Sequence, residues 1–269
     1  MKKIKKLHIK IFLCLFLSFF AGASFFMPVI QNAHQKNFRY LLMLSSFKRP
    51  IFLSGQIYRF LNQSYQNFDI SVSIKGTPND YGFASTFSRE FEKFKKTGKV
   101  SVRFDDNGPQ LSNLLDTVRH VDLNKYDYFC KIDDDDWYAP DYMSEVNKNL
   151  NLIPKEKRTF SSSSYHDGLI LTETLEKTSL WKNATGLTGP TLCFSQKLIE
   201  LALRIEKNPE LVAKYIPSEG TWTFKFNEDR FLDALARNLG PHIQRHSPYP
   251  TVIYGWQYRS VTRNQNYVK

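Results

Sequence analysis

The stretch Tyr128-Phe129-Cys130-Lys131-Ile132-Asp133-Asp134-Asp135-Asp136-Trp137-Tyr138-Ala139-Pro140 decides how this chain is read. An apolar run of buried-strand type ends at four consecutive carboxylates, and aromatics and a proline follow. Four adjacent carboxylates repel one another, so a cation must hold them or most must face water. A divalent ion is the natural neutraliser, and hard oxygen ligands suit Mn2+ or Mg2+. The plainer reading is a solvated acidic turn capping a helix at Pro140. The place of the acids directly after a buried strand favours the metal. An EF-hand does not fit, because its glycine and later glutamate are missing at their spacings.

Before this stretch the pattern alternates strand and helix. Residues 40–45, 69–74, 100–104 and 126–132 read as strands. Between them, Pro50 opens a helix with Leu53, Ile57, Phe60 and Leu61 on one face, residues 83–96 form a second helix, and Leu111, Leu114, Leu115 and Val118 mark a third. The expected fold is α/β: a doubly wound, mostly parallel sheet flanked by helices. Ligands bind such sheets beyond the carboxyl ends of the strands, where the aspartates lie. After them the pattern is less regular. Strands are expected at 158–163, 169–172, 242–245 and 251–254, and helices at 195–207 and 228–238, the last with Phe231, Leu232, Leu235 and Leu239 as its apolar stripe. Residues 39–269 are read as one domain.

The segment Ile132-Asp133-Asp134-Asp135-Asp136 resembles the DxD region of family 2 glycosyltransferases, where a hydrophobic strand ends in Leu-Asp-x-Asp-Asp before an aromatic and a proline. Two earlier stretches resemble the same family in the right order. Ser45-Ser46-Phe47-Lys48-Arg49-Pro50 is similar to its first strand end and Arg-Pro helix start, and Gln63-Ser64-Tyr65-Gln66-Asn67-Phe68-Asp69-Ile70 to its entry into strand two. The resemblance implies a GT-A fold and transfer of a sugar from a nucleotide diphosphate sugar to a glycan or lipid-linked acceptor. It implies donor contacts from Ser45, Ser46, Arg49, Lys75, Asp133 and Asp134, and a metal held by Asp135 with Asp136 and Asp133. The family usually has an acid at the end of strand two, but Ile74-Lys75-Gly76 stands here, which leaves the donor base open.

Asn227-Glu228-Asp229-Arg230-Phe231 is similar to the family's Glu-Asp motif, which supplies the base of an inverting displacement. By that match Asp229 is the base and Glu228 the alternate; the plain alternative is a pair of first-turn acids favoured by the helix dipole. His246 follows this helix, where many GT-A enzymes place a further metal ligand, and Arg245, Arg259 and Arg263 are candidates to clamp a diphosphate. Two rivals remain on the sequence. A nucleotidyltransferase uses a similar fold, but residues 45–50 lack the glycines of its phosphate loop. A non-catalytic, membrane-anchored binding domain could also keep this fold.

The chain has 269 residues, 42% hydrophobic and 15% aromatic, which marks it as globular. Its formal charge is +11, yet Lys2, Lys3, Lys5, Lys6 and Lys10 crowd the first ten residues. The remaining basic residues are scattered and form no nucleic-acid motif, so nucleic acid is set aside as a partner. Residues 11–30 are almost wholly apolar and predict a signal peptide or signal-anchor within 1–30, followed by a linker at 31–38. The expected location is membrane-associated, or secreted or lumenal if the leader is cleaved. Two glycosylation triplets, Asn62-Gln63-Ser64 and Asn183-Ala184-Thr185, permit a lumenal home. The three cysteines make no disulfide framework, and Cys130 and Cys193 read as small buried hydrophobes.

Overall fold

A computed structural model describes residues 35–47, 49–76, 86–105, 109–152, 168–171, 178–181, 192–216, 228–239 and 252–255, with backbone alone for 50, 86–88, 105, 168–171, 178–181, 237–239 and 252–255. All the elements below belong to the compact unit Lys36–Lys269. They begin with β1 (Tyr40–Phe47), α1 (Pro50–Leu61), β2 (Phe68–Lys75), α2 (Thr86–Lys96), β3 (Val100–Asp105), α3 (Gln110–Arg119) and β4 (Tyr128–Asp133). Next come β5 (Trp137–Tyr138), α4 (Tyr142–Asn151), β6 (Gly168–Leu171), β7 (Thr178–Trp181), β8 (Cys193–Ser195), α5 (Gln196–Lys207), α6 (Leu211–Tyr215), α7 (Glu228–Leu239) and β9 (Val252–Gly255).

The main sheet has the order β3-β2-β1-β4-β8. Its first four strands are parallel and β8 is antiparallel. This is the mostly parallel, helix-flanked sheet that the strand–helix alternation predicts. Alternate residues of β1 feed two separate cores. Tyr40, Leu42 and Leu44 join the one that also takes Leu53 and Ile57 of α1 and Met143 and Val146 of α4. Leu41 and Met43 join the other, with Leu114 of α3, Leu198 of α5 and Phe231 of α7. Burial on both faces explains the nearly unbroken apolar run of β1. In β2 the second face is polar: Ser71 donates to the Thr117 carbonyl at 2.5 Å and Ser73 to Asn113 Oδ1 at 2.6 Å, which ties α3 down by hydrogen bonds.

A second sheet, β5-β9-β6-β7, starts on the residues just after the aspartates. Its strands β6 and β9 fall where strands are expected at 169–172 and 251–254, each within one residue, whereas β5, of two residues, is too short for the pattern to mark. The elements expected at 158–163 and 242–245 lie outside the described residues. The first strand runs two residues past its expected end at 45, so Ser46 sits within it. The fourth begins at Tyr128 and not at 126. A 3-10 turn over Leu123–Lys125 precedes it, and the Tyr126 hydroxyl is taken up donating to Asp69 at 2.8 Å.

One expectation is corrected. Cys130 and Cys193 are fully buried as read, but they are bonded to each other. Antiparallel pairing of β8 with β4 sets the two residues directly opposite, across a sequence separation of 63. Counting cysteines could not see this, because the pairing is made by the sheet. Among the described residues no helix is long and apolar enough to cross a membrane, and residues 1–34 lie outside them.

Candidate functional site

Parallel pairing brings the ends of β1, β2, β3 and β4 to one edge of the sheet, with Phe47 opposite Lys75, Lys75 opposite Asp105, and Ser45 opposite Asp133. Asp133 closes β4, Asp134 and Asp135 make a turn, and Asp136 leads into β5. Helix α1 fastens this turn through its backbone. The buried Gln56 donates to the Asp133 carbonyl at 2.9 Å, Arg59 to the Asp136 carbonyl at 3.3 Å, and Gln63, just beyond the helix, to the Ala139 carbonyl at 2.6 Å. The Tyr138 hydroxyl, deep in a cluster with Phe60 and Tyr142, accepts from the Asp133 amide at 3.0 Å.

Two cations divide the acidic run. Arg49 is the N-cap residue of α1, held there by the Arg-Pro start. Its guanidinium meets Asp134 Oδ1 at 2.6 Å and also pairs with Asp135. Ser46 donates to the other oxygen of Asp134 at 2.5 Å. Burial pushes the Asp134 carboxyl up to about 7, with Arg49 opposing and Asp135 adding to the rise. Asp135 is raised by burial too, against the pull of Arg49. Asp134 and Asp136 are buried, whereas the Asp133 side chain keeps 23% of its exposure.

Lys131 is the second cation, and sequence reasoning passed over it. Its side chain is 1% exposed. The ammonium lies 2.6 Å from Asp133 Oδ1, 2.8 Å from Asp229 Oδ1 and 3.5 Å from Glu228 Oε1. Burial works against the charged lysine, but Asp133, Asp229 and Glu228 together hold it well above the ordinary lysine range. The signal was there: a lysine inside an apolar strand must find anionic partners.

Glu228 and Asp229 open α7, which is anchored by Phe231, Leu232 and Leu235 in the second core. The two acidic motifs, which the family resemblance assigns to one site, meet here on a shared lysine. Glu228 is buried and accepts from Gln110 Nε2 at 2.7 Å. Burial, then the charge of Asp229, pushes it up to about 8 against Lys131. Asp229 is also raised, by burial first and by Asp133, with Lys131 opposing. Its side chain is 37% exposed, so it is the member of the pair that reaches solvent.

Ser45 is half-buried at the end of β1, and Lys75 ends β2 with its ammonium 5.7 Å from the centre of the Phe47 ring. His246, Arg245, Arg259 and Arg263 lie outside the described residues. Among the described residues no group of three or more His, Cys, Asp or Glu side chains gathers to hold a metal ion.

No family model and no curated protein matches the chain. Solved structures do match. TarS 1-349 from S. aureus aligns with a TM-score of 0.52 at 12% identity, covering 80% of this chain and 60% of that one. The mannosyltransferase PcManGT from Pyrobaculum calidifontis, in complex with GDP-Man and Mn2+, aligns with a TM-score of 0.52 at 10% identity, covering 84% and 59%. The chain thus spans about three fifths of the length of either. At these identities the likeness is one of fold, and the fold is of the GT-A glycosyltransferase type.

Proposed function

We propose that this chain is an inverting glycosyltransferase. It moves a sugar from a nucleotide diphosphate sugar to a hydroxyl of a glycan or lipid-linked acceptor, with Mn2+ or Mg2+. The observation that carries the reading is the meeting of Asp133 and Asp229 on one buried ammonium at the carboxyl edge of the parallel sheet. GDP-Man and Mn2+ in the mannosyltransferase of the same fold support the class of donor and the metal.

The residues present fit such an ion in one way only. Their donor atoms are carboxylate oxygens, which a hard divalent cation takes. With no three acidic or histidine ligands gathered among the described residues, they suit an ion shared with substrate phosphates and not a closed protein cage. Asp135 and Asp133 would hold it, with Asp136 behind them; when bound it would offset charge on the leaving diphosphate. Arg49, beside Asp134 and Asp135, is placed to meet diphosphate oxygens.

Asp229 acts as the base. Its carboxylate removes the acceptor hydroxyl proton while that oxygen bonds to the anomeric carbon. The bond from this carbon to the diphosphate oxygen breaks, and the nucleotide diphosphate departs with the electron pair. The raised affinity of Asp229 for protons suits this task, because a carboxylate of ordinary strength is a weak base near neutral pH. Glu228, buried and bonded to Gln110, serves to hold the helix end.

A membrane-bound location outside the cytosol agrees with the apolar leader at 11–30 and with the Cys130–Cys193 disulfide, since oxidising compartments keep such bonds. Carbonate extraction of membranes checks the anchor: release of the full-length chain into the supernatant would remove that part.

A screen of nucleotide sugars with Mn2+ and Mg2+ tests the activity, with Asp135→Ala as control. Metal-dependent turnover of one donor, lost in the variant, is expected. The absence of metal-dependent turnover with every donor overturns the proposal.

A further inference from the structure

Three carboxylates from two distant segments share one ammonium, and the way they share it is unequal. Lys131 lies on the same face of β4 as Phe129, opposite Met43 of β1, and that is the face α7 covers. An ammonium has three hydrogens to give. Its close partners are Asp133 at 2.6 Å and Asp229 at 2.8 Å, with Glu228 at the wider 3.5 Å. Glu228 has a second holder in Gln110, whereas the partners found for Asp229 among the described residues reduce to Lys131. Both Asp133 and Asp229 keep contact with solvent while the ammonium between them has almost none. The lysine therefore grips the two carboxylates from the protein side and leaves them open to solvent.

We propose that Lys131 is the positioning residue of the site. It docks the first turn of α7 onto the end of β4 and sets the spacing between the acceptor-side Asp229 and the donor-side Asp133. Without its charge the three carboxylates repel one another, and the first turn of α7 swings away from the strand. The catalytic half of this inference rests on the transferase reading; the docking half does not.

The test measures both halves on the full chain. Lys131→Met keeps the length of the side chain and removes its charge. Amide exchange over residues 229–232 is expected to rise about tenfold in the variant, with β1 and β2 unchanged. In the donor assay kcat is expected to fall on the order of 100-fold, as displaced catalytic groups do, with the donor KM within about threefold of wild type. Should Lys131→Met fail to fold, the pair Lys131→Met with Glu228→Gln removes one of the three carboxylates, leaves Asp133 and Asp229 without their shared cation, and is expected to show a smaller loosening of the same turn. Wild-type protection of residues 229–232 in either folded variant overturns the docking role, whatever the assay shows. Loosened exchange with a kcat equal to wild type overturns the positioning role. If the wild type turns over no donor but the exchange still rises, the transferase reading falls and the docking role stands.

Discussion

Arg49 and Lys131 neutralise the same acidic run by opposite means. Arg49 stands at a helix start, keeps part of its surface, and pairs with two neighbouring carboxylates of one turn. Lys131 is sunk in a strand and pairs with carboxylates of two segments that only the fold brings together. The Arg49 cluster also has slack. Asp134 takes a hydrogen bond from Ser46 and, with its carboxyl raised to about 7, can take up a proton if the arginine is lost. The Lys131 cluster has less, because three acids from two segments depend on one cation whose own side chain is almost wholly buried. A cation shared within one turn therefore tunes a site, whereas one shared between distant segments assembles it.

Substitutions can break this contrast, and the largest effect is expected in the chemistry. Asp229→Asn removes the base and should lower kcat by about 100- to 10,000-fold, whereas Glu228→Gln should lower it far less; equal losses would shift the base to Glu228 or to both. Because the Asp229 carboxyl is raised, activity should fall on the acid side at a pH above the ordinary carboxylate range. A pH–kcat/KM profile reads this directly.

Stability comes next. Lys131→Ala leaves buried carboxylates without their cation and should cost about 4 kcal/mol in urea unfolding. Arg49→Ala should cost about 2 kcal/mol, and less at pH 6 than at pH 8, because Asp134 can protonate. A larger loss for Arg49 than for Lys131 would reverse the comparison.

A third effect is one of slope. The Glu228 carboxyl goes from its ordinary value of 4.5 to about 8 in the fold. The fold thus favours its protonated form. That stabilisation is present in full below 4.5 and is lost as the pH rises through about 8. Glu228→Gln should flatten the fall of Tm across that window, and an unchanged slope would remove Glu228 as its source. The smallest effect is expected from an exposed pair. Lys93 and Glu90 are bonded at 2.7 Å on the surface of α2, and Lys93→Ala should leave both Tm and kcat unmoved.

Much of this was legible in the residues. The alternation of β1 between two cores shows as an unbroken apolar run, and the helix faces of Leu53, Ile57 and Phe60 show as spacing. The placing of Asp133 at a strand end follows from the hydrophobic run before it. The Lys131–Asp229 contact was not legible, because the strand and the helix lie far apart in the chain and nothing local marks them as partners. Nor was the disulfide, since pairing of β4 with β8 is a fact of sheet order. The role of Arg49 was read as donor contact alone. Its pairing with Asp134 and Asp135 emerged only when the end of β1 and the end of β4 were set side by side.

Periodicity and charge clustering act within a few residues, so the sequence alone established the strands and helices up to β4, the acidic end of β4 and the acidic start of α7. Sheet order and helix docking act between residues remote in the chain. Only the tertiary structure could decide that these two acidic ends share one lysine, and that β4 is bonded to β8.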